Sequence, residues 1–435
     1  MELSFSKALR QGLKNNSRIL KEERKIDALK RRIKESEIEN DWQWEASLEG
    51  RAISDNTQTT SRKKFATLEG ERSYKQGLKI EPELAIEEEE LLEQGLSKES
   101  LDFDIEFEQP LYPAAQEVRT DSQELGLKLK RAKAKLKELK NKLSIAWLKD
   151  YLELIELKLE CTINNEEFNL AAKILERTKD QKGGHQGRKE ILEAKIDLNE
   201  ARQDLEESKN DYQKSVRDLS YSLGLAKGDK LEVLMTQECN LDWLAELEEE
   251  LANLDNSAKL LVQAKANSQE LLINELEREE VKVEARAKES KREPQVSLTA
   301  SYDKGDKWQI ALGLTHKLFN QEADDLAREE FEDELEALKE EREEHLEELK
   351  GGIDDLVGEI TVNQLEVKEK KLRLEEAVID LEEMEKEKAA GAVSDLEFEA
   401  EELNLKKAEL ALKEKEHQLL LSKYELVKLL GGLEF

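Results

Sequence analysis

Residues 100–112 read SLDFDIEFEQPLY, and this stretch decides the fold of the 435-residue chain. Apolar residues alternate strictly with carboxylates, which is the two-residue period of a β-strand with one apolar and one anionic face. The apolar positions are Leu101, Phe103, Ile105 and Phe107, and the acidic positions are Asp102, Asp104, Glu106 and Glu108. Two interpretations are open at this point. One is an ordinary antiparallel sheet, and the other is a barrel strand between hydrocarbon and an aqueous lumen.

The rest of the composition is typical of long helices. Charged residues make up 40% of the chain, aromatic residues 5%, and there are only 4 prolines. Such a composition, rich in Glu, Lys, Leu and Ala, belongs to coiled coils and long helices. The formal net charge of -32 disfavours nucleic acid and anionic lipid as partners, because both would be repelled.

Catalytic and metal-binding patterns are missing from the sequence. Cys161 and Cys239 stand in unrelated contexts, and the four histidines share no ligand spacing, so neither a disulfide framework nor a zinc site is indicated. There is no Gly-rich phosphate loop and no nucleophile elbow. We therefore predict no catalytic residue, no metal and no cofactor.

The sequence shows neither a transmembrane helix nor a signal peptide. No run of 18 apolar residues occurs, and the N-terminal residues contain no apolar core of a signal peptide. Both a cytoplasmic protein and a mature exported chain fit this pattern.

The chain repeats its own plan. A shift of 207 residues places Phe103 on Ile310 and Gly184 on Gly391, while upstream of the first strand connection the shift is about 250 and places Ala46 on Val296. The predicted first repeat, 1–240, holds a helix, strands near 44–54 and 100–112, and a helical hairpin over 113–225. The predicted second repeat, 241–435, holds a helix, strands near 294–302 and 307–319, and a helical hairpin over 320–430. We expect the two repeats to intertwine into one domain.

The first repeat carries a longer connection between its strands. Residues 54–99 exceed the tight turn DKGD of the second repeat by about 43 residues, and the segment 60–75 is a candidate for an extra hairpin. The helices that follow the turns show apolar seams with alternating spacings of three and four, which predicts left-handed antiparallel packing. A plain coiled-coil hairpin explains these seams equally well.

At this point the chain resembles the TolC family of outer-membrane channel proteins over essentially its full length. The resemblance rests on ALRQGLKNNSRIL with its echo QAKANSQELL, on the strand endings FEQPLY and LTHKLF before long helices, and on GAVSDLEFEAEELNLKKAELAL. It implies a mostly helical fold in which each chain gives four strands to a trimeric, 12-stranded β-barrel that continues as an α-helical barrel. It also implies a cell outer-membrane location, with the helical part in the periplasm.

The resemblance further implies partners and sites. The partners would be two further copies in a homotrimer, outer-membrane lipid, a periplasmic adaptor protein and an inner-membrane pump for drug efflux or type I secretion. Carboxylates are expected at the constricted tip of the tunnel, just after the turn glycines. The candidate tip carboxylates are Glu190, Glu193, Glu397 and Glu401, and the turn glycines are Gly183, Gly184 and Gly391.

The barrel interpretation assigns both faces of the strands. Asp102, Asp104, Glu106 and Glu108 would line the lumen, and the residues of apolar phase would face lipid. The predicted lipid-facing residues are Leu101, Phe103, Ile105, Phe107, Val296, Leu298, Ile310 and Leu312. The alternative to a passive channel is a soluble coiled-coil scaffold with a small cap sheet, which would expose those apolar faces to water. An enzyme is the third and weakest hypothesis.

Overall fold

A computed structural model describes residues 2–3, 5–38, 41–54, 60–74, 77–87, 101–112, 117–181, 185–225, 232–233, 257–290, 293–303, 307–316 and 321–431. The chain divides into two compact units. One consists of Met1–Glu22, Leu136–Leu271 and Glu344–Phe435, and the other of Glu23–Lys135 and Leu272–Glu343. Each unit therefore takes segments from both halves of the sequence.

Most of the described residues are helical, as predicted. Two helices are very long, with 65 and 69 residues, because Gly and Pro are scarce in these stretches and Glu–Lys and Glu–Arg pairs four residues apart support them. The helices are α1 (Phe5–Asn15), α2 (Ser17–Ile38), α3 (Glu117–Gln181), α4 (His185–Ser222), α5 (Ser257–Asn267), α6 (Gln269–Ser290), α7 (Gln321–Ala389) and α8 (Asp395–Leu430). Among the described residues, none of these helices is apolar enough over a sufficient length to cross a membrane.

The strands form a short parallel pair and one large antiparallel sheet. The pair joins β1 (Glu2–Leu3) to β6 (Glu232–Val233). The large sheet has six strands in the order β2-β3-β4-β5-β7-β8. Its strands are β2 (Gln43–Ser54), β3 (Thr60–Ser73), β4 (Lys79–Glu87), β5 (Leu101–Tyr112), β7 (Gln295–Asp303) and β8 (Lys307–Thr315).

The number of strands corrects one expectation. The resemblance implied four strands per chain, but the described sheet contains six. The difference arises because the connection between β2 and β5 supplies the hairpin β3–β4, which is inserted into the sheet between them. The candidate hairpin segment at 60–75 is therefore its first strand and not the whole hairpin.

A buried apolar cluster organises the first unit. Trp147 of α3 is 1% exposed and packs among residues of α1, α2, α4 and α8. Burying one large apolar side chain stabilises a fold by about 1.5–3 kcal/mol, so this cluster is a principal source of stability. Its members include Phe5, Ile19, Leu148, Leu219, Leu223 and Tyr424.

Two asparagines mark helix junctions where a single helix was expected. Between α1 and α2, the amide Nδ2 of Asn16 donates to the carbonyl of Ser222 at 2.7 Å, and its Oδ1 accepts from the backbone N–H of Arg18 at 2.9 Å. Between α5 and α6, Nδ2 of Asn267 donates to the carbonyl of Leu430 at 2.8 Å. Each asparagine thus ties a helix junction to the end of a later helix.

Glycines with positive φ complete both junctions. Gly224 has φ 67°, and a Cβ at this residue would lie 2.7 Å from the carbonyl oxygen of Asn15. Gly431 has φ 79°, and its Cβ would lie 2.2 Å from the Cβ of Asn267. Both the backbone conformation and the close approach require glycine.

Candidate functional site

One face of the six-stranded sheet is largely apolar. Residues paired across antiparallel strands lie on the same face, so the register fixes which side chains share it. The pairs Ile105–Tyr302 and Leu298–Leu312 belong to this face, and so do residues of the inserted hairpin. Its described members are Trp44, Ala46 and Leu48 of β2; Ala66, Leu68, Gly70 and the single cation Arg72 of β3; Ile80, Pro82 and Leu84 of β4; Phe103, Ile105 and Phe107 of β5; Val296, Leu298, Ala300 and Tyr302 of β7; and Trp308, Ile310, Leu312 and Leu314 of β8.

Much of this apolar face is open. Leu48 is 87% exposed, Ile310 73% and Leu312 69%. Seven of the eight residues predicted to contact lipid lie on this one face, and the side chain of the eighth, Leu101, lies outside the described part of the structure. An apolar surface of this extent on a soluble monomer would mark an interaction site or an aggregation hazard.

The opposite face is polar and strongly acidic. Asp104 pairs with Glu83 across the strands, and Glu106 pairs with Glu81, so like charges stand directly opposite one another. Such pairs repel unless water or cations reduce the repulsion. All four predicted lumen carboxylates lie on this face, and Asp102, Glu106 and Glu108 are exposed together with Asp104.

Sequence reasoning missed further carboxylates on the same face. A concavity of about 770 Å³ opens over the polar face and is lined by acidic residues of four strands. These residues are Glu45, Glu69, Glu71, Glu81, Glu83, Asp104 and Glu106. The alternation of Lys79, Glu81 and Glu83 with Ile80, Pro82 and Leu84 was the available signal. Pro82 concealed it, because proline is unusual in an inner strand.

Basic and hydroxyl side chains bridge the strands on the polar face. The ammonium of Lys79 lies 2.7 Å from a carboxylate oxygen of Glu81 and 3.1 Å from one of Glu71. The hydroxyl groups of Ser47 and Thr67 lie 2.7 Å apart across β2 and β3. The Lys79 contacts join β3 to β4 within the hairpin, the Ser47–Thr67 contact joins the hairpin to β2, and the face stays negatively charged overall.

Aromatic residues lie at the ends of the strands. The rings of Trp42 and Trp44 stack with centroids 5.5 Å apart, and the guanidinium of Arg72 lies 4.7 Å from the ring centroid of Tyr74. Near the turn between β7 and β8, the rings of Tyr302 and Trp308 lie 4.8 Å apart. Aromatic residues at both ends of an apolar band are typical of the two interfaces of a lipid bilayer.

The helix turns carry the predicted tip residues. Gly391 has φ 76°, and Ser394 caps α8 in a capping box in which Oε2 of Glu397 accepts from the backbone N–H of Ser394 at 2.8 Å. The hydrogen bond from the Ser394 hydroxyl is the main reason that the pKa of Glu397 is lowered. Gly183 and Gly184 lie outside the described residues.

The other tip carboxylates have separate partners. Glu193 pairs with Lys189 at 3.3 Å, and Glu401 accepts a hydrogen bond from Asn404 at 3.1 Å. Glu190 is half-buried in the first turns of α4, and Glu397 is exposed in the first turn of α8. Glu190 is the sixth residue of α4, whereas Glu397 is the third residue of α8.

Ion pairs join α3 to α8 at successive levels of the two antiparallel helices. Glu156 contacts His417 at 2.6 Å, Glu166 contacts Lys406 at 2.6 Å, and Glu399 contacts Lys173 at 2.7 Å. The residue numbers rise along α3 as they fall along α8, so the pairs fix the register of one helix on the other. Glu167 and Lys407 form a further pair.

Two other helices keep exposed apolar stripes. On α7, Leu365 is 61% exposed, Leu372 66% and Ile379 51%, at a spacing of seven residues. On α4, Leu192 is 53% exposed and Ile196 55%. A seven-residue apolar spacing is the seam of a coiled coil, so the exposed face of α7 is suited to another helix.

Comparisons with known proteins give the same architecture. The Campylobacter jejuni outer-membrane channel CmeC matches with a TM-score of 0.66 at 11% identity, over 98% of this chain and 85% of that one. The Vibrio cholerae outer-membrane protein VceC matches at 0.65 and 12%, over 98% and 96%. The chain has the TolC fold.

The TolC fold covers the whole chain. The Neisseria gonorrhoeae outer-membrane channel MtrE, solved in its open state, matches with a TM-score of 0.60 at 12% identity, over 98% of this chain and 89% of that one. No protein-family model and no curated protein sequence matches the chain. The resemblance predicted from the sequence motifs is therefore confirmed at the level of the fold.

Proposed function

We propose that this chain is a subunit of a passive, homotrimeric outer-membrane channel of the TolC family. It would act as the exit duct of a tripartite efflux pump or a type I secretion system, without catalysis. Its apolar sheet face would contact outer-membrane lipid, and its helical part would lie in the periplasm. There it would dock with an adaptor protein and an inner-membrane pump.

One observation carries the proposal: a six-stranded sheet is apolar and open on one face and acidic on the other. A transmembrane barrel needs lipid on the first face and water on the second. Strands of 9 to 14 residues are long enough to span the hydrocarbon layer when tilted. A soluble scaffold would leave the apolar face in water, which the hydrophobic effect disfavours.

The trimeric state is supported by two open surfaces on each copy. In the described sheet, β2 and β8 are the end strands, and an open strand edge recruits another strand. The helices also offer two unlike surfaces, because one exposed apolar stripe lies on α4 of the first helical hairpin and the other on α7 of the second. Contacts between unlike surfaces of identical copies generate a ring when the rotation closes. Pairing β8 with β2 of the next copy, and α7 with α4 of the next copy, would build such a ring.

The test compares two arginine substitutions at neighbouring positions of β5. Ile105→Arg places a charge on the apolar face and should hinder insertion by roughly 2–4 kcal/mol if the site is near the bilayer midplane. Glu106→Arg places the same charge on the polar face and should insert normally. Refolding into liposomes, followed by protection from protease and release of an entrapped dye, measures both. Equal insertion of the two variants would contradict the proposed lipid-facing assignment.

A further inference from the structure

The hairpin β3–β4 is an integral part of the sheet. It pairs with β2 on one side and β5 on the other, with an uninterrupted antiparallel register on both sides. Between β3 and β4, the pairs Leu68–Leu84 and Arg72–Ile80 keep one common register. The hairpin therefore preserves the alternation of faces across all six strands.

The inserted strands continue the apolar face of the strands beside them, with one exception, Arg72, which pairs with Ile80. Leu68 is 39% exposed, and Trp44 of β2 lies over Gly70 so closely that a Cβ there would be 2.7 Å from its ring. Ile80 and Leu84 pair with Phe107 and Phe103 of β5. If the hairpin lay in water outside the membrane, its apolar side chains would be exposed to solvent, which the hydrophobic effect disfavours.

The sequences of β2 and β5 show that these two strands could pair directly if the hairpin between them were absent. If β2 paired directly with β5 in the register of β7 and β8, Leu48 would stand opposite Ile105 and Ala46 opposite Phe107. Both pairs join residues of the apolar face, so the parity would be correct. The shorter sheet is thus geometrically possible, yet the hairpin separates the two strands.

We infer that the closed barrel contains 18 strands, six from each of three copies, rather than the 12 implied by the resemblance. This inference rests on the proposed trimeric channel. An even number of alternating strands per copy makes β8 antiparallel to β2 of the next copy, so identical copies close without a mismatch. Because barrel diameter grows roughly linearly with strand number, the barrel is about 1.5 times as wide as one of 12 strands.

The wider barrel changes the pore surface as well as its size. Each copy adds Glu69, Glu71, Glu81 and Glu83 to the acidic face, in addition to the carboxylates of β5. The barrel end is then a broad anionic vestibule. It should admit bulky hydrophilic solutes that a 12-stranded barrel excludes.

Cysteine cross-linking tests the strand order in the membrane. Cys161 and Cys239 are first replaced by Ser. The pair Leu84→Cys and Phe103→Cys lies directly across β4 and β5, within disulfide reach, and should be oxidised almost completely. The pair Leu48→Cys and Ile105→Cys is separated by three strand spacings, about 14 Å, and by a further offset of four residues along the strands, so it should stay reduced. The reverse outcome would overturn the inference, because β2 would then pair with β5.

Electron cryo-microscopy of the purified channel counts the strands directly. Eighteen strands in a trimer support the inference, and 12 strands overturn it, whether from a dimer or from a trimer with the hairpins outside. A protein that forms no membrane ring at all would overturn the proposed function and the strand count together. A ring of 12 strands would overturn the count alone.

An excision variant supplies the matched control. Replacing residues 54–99 by Lys-Gly-Asp copies the turn between β7 and β8, and the parity described above allows β2 and β5 to pair. Its barrel should shrink to about two-thirds of the diameter. Polymers of graded size added to the barrel side should enter the parent channel at larger radii than the variant. Equal exclusion sizes would contradict the wider barrel.

Discussion

At the scale of single residues, the side chain of Asn16 makes three hydrogen bonds in the first unit. It is 7% exposed, its Oδ1 caps α2 through the N–H groups of Arg18 and Ile19, and its Nδ2 donates to the carbonyl of Ser222. Asn267 makes the corresponding contact to Leu430, but it is exposed, and Ser268 accepts from the N–H of Leu271 instead. At the first junction, Asn16 both caps α2 and binds the carbonyl of Ser222. At the second junction, Ser268 provides the cap and Asn267 binds the carbonyl of Leu430.

This difference predicts unequal effects of alanine at the two sites. Asn16→Ala removes a helix cap and leaves a carbonyl without its donor, which should cost on the order of 2–3 kcal/mol. Asn267→Ala removes one part-buried hydrogen bond and should cost about 1 kcal/mol or less. Thermal unfolding of the two variants measures the difference. Asn16→Ser is the control, because its hydroxyl can still accept from the N–H groups of α2 while the amide donor to Ser222 is lost, and equal destabilisation by all three variants would contradict the assignment.

The sequence predicted that the two sites correspond, but it did not predict the helix junctions. The echo of Asn16-Ser17 in Asn267-Ser268 is visible as a repeated dipeptide. Their partners, Ser222 and Leu430, are 206 and 163 residues away, so only the folded chain brings them together.

At the scale of elements, a strand whose apolar and polar residues alternate strictly could be predicted from the sequence. Strands in which charged residues or proline interrupt the alternation could not. The stretch that became β5 alternates without a fault, whereas β3 contains a run of charge and β4 contains Pro82. Proline lacks the N–H that a ladder needs, and its presence argues against an inner strand. Pairing on both sides with β3 and β5 overrides that local preference.

Helix α6 carries two adjacent glutamates whose environments are opposite. Glu280 is 9% exposed, and burial raises its pKa although Arg131 lies 3.3 Å away. Its neighbour Glu279 is only half-buried, and the hydrogen bond from Lys282 lowers its pKa. A raised pKa favours the native state only when the group is protonated, and a lowered pKa favours it only when the group is charged.

The two glutamates should therefore give opposite pH dependence when replaced by Gln. Relative to the parent, Glu280→Gln should become more stable as pH rises from about 4 to about 7, because the parent then buries a charge. Glu279→Gln should become less stable over the same range, because the parent gains its ion pair. Thermal unfolding at both pH values measures the changes. A shift of the same sign in both variants would be inconsistent with these environments.

At the scale of the whole molecule, the proposed tip would bring carboxylates of three copies together. If Glu190 and Glu397 face the axis, six carboxylates would meet at the narrowest point, and multivalent cations should bind there and block the current. Protonation of these carboxylates removes the charge that attracts the cations, so the block should weaken as the pH falls.

Replacing both residues by Gln should abolish the block. Assembly should be preserved, because Gln also suits the third position of a capping box and so maintains the Ser394 cap. Glu193→Gln with Glu401→Gln serves as a control one turn further along the helices. A double Glu190/Glu397 variant that is blocked as tightly as the parent would show that these residues are ordinary solvated charges.

The most direct test of the central claim, a channel with an acidic lumen, is the reversal potential across a planar bilayer with a salt gradient. We predict that the purified protein conducts and selects cations, because every copy contributes Asp102, Asp104, Glu106 and Glu108 to the water-filled face. Exchanging these four for Asn and Gln should reduce the selectivity while conduction continues. A bilayer that stays silent, or an anion-selective pore, would contradict the account.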